Sequence, residues 1–340
     1  MKSWKFRKKI LLLVLVPVMF SSGCTTRPSP RSGYGKYSLP KNNISATISD
    51  TTAPTPVPTA NWNPSFWPEP GLPGNPPSAT RMDPPGSRYY SDLSEDHYNI
   101  FLHQLHERSV TVAFHKDLNL DPTQERIWDD FITSRWLEFW EIFQGFPFLE
   151  YTVVLETQDI STNAGGTGFD IDWNIYKDDC QAISHEIFHA WNGNALIPYG
   201  LEEKWFQEGF TQYYGYRGCG IERLETFLLK DYQYYAKELA EGRDMPLVAS
   251  GPQLYRTERS YFYYAKGALV ADMLDKGLKE YFNLSLDDYM QSIYLKFGID
   301  GIRIKTSDLL QALNDLTGSD LSPFFDAFLY GTVPLPELWE

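Results

Sequence analysis

Residues 184–210, SHEIFHAWNGNALIPYGLEEKWFQEGF, set the tightest condition on how this 340-residue chain folds. His185 and His189 are four apart, so on a helix of about 3.6 residues per turn their rings share one face. Glu186 follows the first histidine, and Glu208 comes 19 residues after the second. The loop signals of GNALIPYG end the first helix and let the chain reverse. LEEKWFQEGFTQYYGY then reads as a second helix that can lay Glu208 across from both imidazoles. Two imidazoles and a carboxylate meeting at one point are a ligand set for Zn²⁺, with a fourth position left for water.

The amino terminus is of another kind. MKSWKFRKK is basic, ILLLVLVPVMF is an apolar run too short to cross a bilayer as a helix, and SSGC ends at Cys24. Residues 1–23 therefore read as a lipoprotein-type signal and Cys24 as the lipidation site, although Ser21 stands where such signals usually have Leu. Without residues 1–23 the net charge moves from −14 to −19, because five basic side chains and no acid are removed. No Lys/Arg-rich patch lies in the body of the chain, which excludes a phosphate-binding surface for nucleic acid. A surface of that charge also does not hold anionic lipid unaided, so an acyl anchor matters. Residues 25–90 hold 14 of the 23 prolines, and 24–92 read as an extended, disordered tether between membrane and enzyme.

Order is expected from residue 93. SEDHYNIFLHQLHER, with its capping serine, reads as a helix, and SVTVAFHK alternates like a strand. DPTQERIWDDFITSRWLEFWEIFQGF reads as an amphipathic helix with Ile127, Phe131, Trp136 and Trp140 as its apolar stripe. FPFLEYTVVLET reads as a buried strand and GGTGFDIDW as an alternating strand. After Asp178 helices are expected over about 178–193, 201–217, 221–241, 259–282, 285–297, 305–317 and 321–330. The fold class is α+β, with a sheet-containing half at 93–200, a helical half at 201–340 and a cleft between them. His103 and His106, three apart, have no third ligand in view. Cys180 and Cys219 leave a disulfide and two buried thiols both open.

These motifs resemble the gluzincin metallopeptidases, and among them the glycyl aminopeptidase family more than the alanyl type. HEIFHAWNGNALIP, WFQEGFTQYY and YYAKGALVADMLD (263–275) are similar to three signatures in that family's order. The resemblance spans about residues 140–336 and implies a thermolysin-like zincin domain that hydrolyses peptide bonds through a metal-activated water. It implies one Zn²⁺ held by His185, His189 and Glu208, with Glu186 as the base. Tyr264 becomes the hydrogen-bond donor to the oxyanion, although Tyr261 and Tyr263 lie close by. Gln212, one turn after Glu208, is a candidate to orient His185, and a surface glutamine is the other reading.

The resemblance has gaps. The family has Gly-Gly-Leu-Glu-His on the strand beside its site, and the glutamate grips the substrate's amino terminus. Here Gly165 and Gly166 are followed by Thr167 and Gly168, leaving Gly168 in the glutamate's place. Asp170 and Asp172 share that strand face and are the substitutes to test. Aminopeptidase and endopeptidase action both stay open. The amino-terminal β domain and the carboxy-terminal PDZ module of the family have no counterpart here, which leaves a bare catalytic core and room for a partner protein to complete the cleft. The alternative from another class is an inactive zinc-fold lipoprotein that binds a peptide or envelope partner.

Overall fold

The computed structural model describes residues 93–157, the backbone of 163–165, residues 168–173 and residues 179–336. The expected signal, Cys24, the Pro-rich stretch and Gly166 lie outside them.

Strand β1 (Tyr98–Leu105) and β2 (Arg108–His115) form an antiparallel hairpin. Strand β3 (Glu150–Glu156) runs parallel to β2, and β5 (Gly168–Asp172) parallel to β3. The short β4 (Asn163–Gly165) pairs antiparallel to β5, and the sheet order is β1-β2-β3-β5-β4. GGTGFDIDW therefore supplies the inner strand β5, and its first residue, Gly165, belongs to the edge strand β4.

The helix expected over the first ordered segment is a strand. Tyr98 to Leu105 pair residue by residue with His115 to Arg108 across a tight turn at His106, whose φ is +53°. The apolar positions fit either period, and the partner strand decides. His103 and His106 are consequently separated. The His103 ring bonds Asp129 at 2.7 Å, while His106 stacks on Trp140 with centroids 3.8 Å apart.

Helix α1 (Pro122–Phe143) opens as its sequence demands. Asp121 accepts from the amides of Thr123 and Gln124, and the Gln124 side chain accepts from the Asp121 amide. Its buried stripe is Ile132, Trp136, Phe139, Ile142 and Phe143, and Ile127 is exposed, so the core face is rotated from the expected one. Glu125 and Asp129 explain the rotation, because they face the sheet to receive Asn99 and His103.

One face of the sheet carries Val110, Val112, Phe114, Tyr151, Val153, Leu155, Phe169 and Ile171 into the core, where Trp136 meets Tyr151 at 4.7 Å. Against α1 lies α2 (Cys180–Phe188), with Phe139 on Phe188 at 5.0 Å. The helical remainder comprises α3 (Thr211–Arg217), α4 (Ile221–Ala240), α5 (Leu247–Leu254), α6 (Tyr261–Phe282), α7 (Leu286–Ile293), α8 (Thr306–Thr317) and α9 (Ser322–Phe328). The α+β class and the helical second half follow the expectation. Helix α5 was not foreseen, since LVASGPQL contains Gly, Ser and Pro. A Cβ at Gly251 would sit 1.9 Å from the Leu201 carbonyl, so this helix needs glycine to pack where it does.

Candidate active site

Asp179 caps α2 by accepting from the amides of Gln181 and Ala182, which starts the helix one turn before the histidines. The helix ends earlier than expected, at Phe188, but the cap residue His189 keeps helical angles (φ −59°, ψ −19°), so the two rings still meet one turn apart, edge to face. Their Nε2 atoms are 3.0 Å from each other. A carbonyl can only accept, so the His189 Nδ1–H donates to Asn192 O at 2.8 Å, and in the neutral ring the lone pair falls on Nε2.

The expected helix over 201–217 is three pieces: a 3₁₀ turn (Leu201–Glu203), a π-helical segment (Trp205–Phe210) and α3. Glu208 sits in the π segment, where the wider turn loosens the backbone ladder. Asn192 compensates. Its side-chain amide donates to Phe206 O, Gln207 O and Thr211 Oγ1, so one residue orients a histidine and braces the glutamate's backbone. Glu208 Oε2 lies 3.5 Å from His185 Nε2 and 3.2 Å from His189 Nε2, while Lys204 holds Oε1 at 2.8 Å.

These separations test the metal. A tetrahedral ion with bonds of about 2.0–2.1 Å has ligand atoms about 3.3 Å apart, and the three observed separations of 3.0, 3.2 and 3.5 Å bracket that edge. All three residues are buried, and they are a metal-capable cluster among the described residues. The donor set fits Zn²⁺. Burial opposes charge on both partners, but their mutual attraction wins. His189 is raised to about 9, and Glu208 is held well below the carboxylate range.

Tyr264 of α6 completes the cluster. Its ring stacks over His185 with centroids 5.9 Å apart, and its hydroxyl lies beside the Glu208 carboxylate. Burial and the Glu208 charge push its pKa up, so it stays a donor. Tyr263 is turned into the core, and Tyr261 donates to Asp231 at 2.6 Å, so of the three tyrosines Tyr264 is the one placed on the ligands. Glu186 lines the same cavity of about 290 Å³, together with His185, Tyr264, Gln181, Ala182, Gln212, Ser260 and Tyr261.

Residues 174–328 match the family model described as "Peptidase family M1 domain". That stretch is similar to the catalytic region of M1 peptidases and contains His185, His189 and Glu208. A glutamyl aminopeptidase from Bitis rhinoceros is 24% identical over 154 residues, which is 43% of this chain and 16% of that protein. An aminopeptidase N family protein from Idiomarina loihiensis superposes with a TM-score of 0.57 at 21% identity, over 70% of this chain and 48% of that one. An M1 zinc metallopeptidase from Deinococcus radiodurans gives 0.54 at 17%, over 72% and 53%. The chain thus spans about a sixth of the curated relative and about half of each solved chain. The gluzincin expectation is met, and these relatives carry glutamyl, N-family and M1 names rather than a glycyl one.

The site owes its precision to helices packed without side chains between them. A Cβ at Gly209 would lie 2.5 Å from Gly267 Cα, so the π segment and α6 touch backbone to backbone. That contact carries Tyr264 to Glu208. A Cβ at Gly215 would lie 3.1 Å from His185 Cβ, which brings α3 as close to α2. Lys266, fully buried, ion-pairs Asp244 at 2.7 Å and donates to Met245 O, fixing α6 to the loop beside it. Cys180 and Cys219 form a disulfide between the start of α2 and the end of α3.

Other expected positions lie elsewhere. Phe169 and Ile171 take the core face of β5, so Asp170 and Asp172 fall on the opposite face, in line with Glu156. Neither is among the residues that line the cavity. Gly165 is in the edge strand β4. Gln212 does not reach His185. It donates to Tyr216 at 2.6 Å and accepts from Gln181 at 3.0 Å. Lys204 and Asn192 belong to the site without a motif to announce them. The only signal was Lys204 four residues before Glu208, a spacing common on any helix.

Proposed function

We propose that the chain is a zinc-dependent peptidase exported to a bacterial cell envelope. The observation that carries this is the cluster of His185, His189 and Glu208 beside a cavity lined by His185, Glu186 and Tyr264. His185, His189 and Glu208 would hold the ion. Bound Zn²⁺ supplies Lewis acidity, lowering the pKa of a water to about 7 and polarising a carbonyl. Glu186 takes the proton from the attacking water on its carboxylate and delivers it to the departing amine. Tyr264 donates its hydroxyl proton in a hydrogen bond to the oxygen that gains charge as the carbonyl carbon becomes tetrahedral. Lys204, on the far oxygen of Glu208, keeps that carboxylate aimed at the histidines.

Aminopeptidase names among the relatives favour removal of amino-terminal residues. Asp170 and Asp172, away from the cavity, favour internal cleavage. A mixed peptide library incubated with zinc-loaded protein and read by mass spectrometry decides between them. Stepwise loss of single amino-terminal residues supports the first and internal cuts the second. An intact library, with the zinc stoichiometry full, would leave a binding protein of zincin fold.

Residues 1–23 export the chain, Cys24 takes the lipid, and residues 24–92 hold the catalytic region off the membrane. Support comes from the sequence alone. Metabolic labelling with a radioactive fatty acid tests it, with label expected on the native chain and none on a Cys24→Ala variant.

A further inference from the structure

Behind the cavity wall lies a carboxylate that the proposed reaction does not use. Asp231 of α4 is fully buried, and its two oxygens accept from Tyr216 at 2.8 Å and Tyr261 at 2.6 Å. Burial and these two hydroxyls set its acidity, and among the described residues no cation pairs with it. An ionised carboxylate can only accept, so it fixes the direction of every bond that leads to it. Tyr216 donates to Asp231, which obliges Gln212 to donate its amide N–H to Tyr216 at 2.6 Å. The Gln212 oxygen then receives Gln181 Nε2 at 3.0 Å. Each link of the relay points toward the buried charge. Gln181 keeps its carbonyl oxygen, beside its second amide N–H, for the cavity.

The rest of that wall agrees. Gln181, Gln212, Ser260, Tyr261 and Tyr264 line the cavity beside Glu186, and no Lys or Arg is among its lining residues. The rings of Tyr261 and Tyr264 lie nearly parallel, 11° apart, with centroids 6.3 Å apart, and present aromatic surface to it. Uncompensated negative charge, oriented oxygen acceptors and aromatic surface together form a binding site for a cation.

We propose that this cavity is the substrate subsite for a cationic group, either a lysine or arginine side chain of the peptide or its free α-ammonium, recognised through the hydrogen-bond relay Asp231–Tyr216–Gln212–Gln181 and through Tyr261. It rests on the peptidase reading for the location of the scissile bond. The charge itself stays out of reach of solvent, and the substrate meets it through the phenols and carboxamides.

Calorimetric binding to zinc-loaded Glu186→Gln protein tests the subsite without turnover. Matched peptides would carry lysine or uncharged norleucine, each with a free or an acetylated amino terminus. A cationic peptide is expected to bind about tenfold or more tightly than its neutral match, and the gain is expected to vanish in Asp231→Asn and in Tyr261→Phe. A gain that survives acetylation assigns the site to the side chain. A gain that needs the free terminus assigns it to the α-ammonium. Equal binding of cationic and neutral peptides overturns the proposal, as does a gain that persists in both variants. Should Asp231→Asn fail to fold, Tyr261→Phe decides alone, because it keeps the ring and removes only the hydroxyl. Cleavage by the wild-type protein is scored separately. Cutting without cation preference sinks the subsite and spares the peptidase, while cation-selective binding without cutting does the reverse.

Discussion

At the scale of single residues the site is a set of directional constraints. Tyr264 can serve an oxyanion because burial and Glu208 hold its proton in place. Tyr264→Phe is therefore expected to lower kcat by about 10²–10³-fold with zinc content unchanged. Asn192 links a ligand to the support of another ligand. Asn192→Ala strips donors from Phe206 O, Gln207 O and Thr211 Oγ1 at once, and zinc affinity by competition with a chelator is expected to fall about 10–100-fold. Asp231 is kept at a cost. Burial raises its carboxyl from 3.8 to about 6, the two phenols pulling against the rise. The folded state thus binds this proton more tightly than the unfolded chain does. Its contribution to stability is present below about pH 3.8, falls as pH rises toward 6 and stays lost above that, a difference of about 3 kcal/mol. Denaturant titrations of the wild type against Asp231→Asn at pH 4 and pH 7 check the sign: the wild type should lose ground at pH 7. Of these residues the ligands and Glu186 were legible in HExxH and its distant glutamate, and Tyr264 only through the resemblance of YYAKGALVADMLD to a family signature. Asn192 and Lys204 were not, since a bracing amide and an i,i+4 lysine look the same on any surface.

At the scale of elements, close approach does what side chains cannot. The π segment and α6 meet at Gly209 and Gly267, and that contact sets the distance from Tyr264 to Glu208. Gly209→Ala inserts a methyl group where a backbone atom would lie 2.5 Å away. It is expected to cost about 1–3 kcal/mol in thermal or denaturant unfolding and to lower activity further than stability alone explains. The disulfide closes a 39-residue loop that contains both histidines and Glu208. Reduction is expected to cost about 4 kcal/mol by loop-closure entropy, and urea titrations with and without a phosphine reductant measure it. Helices with sustained apolar spacing, such as α4 and α6, were legible within a few residues. Tyr98–Leu105 was not, because its apolar positions suit both periods and only the pairing with β2 selects the strand. The break of 201–217 at the π segment was equally hidden, since it arises where α6 and Asn192 press on the chain rather than from WFQEGF itself.

At the scale of the whole molecule, a single core joins the sheet, α1, α2 and the helical half, so the two halves expected from the sequence act as one support for the cleft. Among the described residues no helix is long and apolar enough to cross a membrane. The lipid reading thus depends on residues 1–24 and on the labelling experiment. Net charge of −14 agrees with the proposed cationic subsite through long-range attraction. The central claim is that Glu186 moves the proton at a zinc site formed by His185, His189 and Glu208. The most direct measurement is zinc stoichiometry and kcat/KM, side by side, for the native chain and for Glu186→Gln. One zinc per chain in both, with kcat/KM lower by about 10²–10⁴-fold in the variant, is the predicted result. Undiminished cleavage by a zinc-loaded Glu186→Gln protein would contradict it.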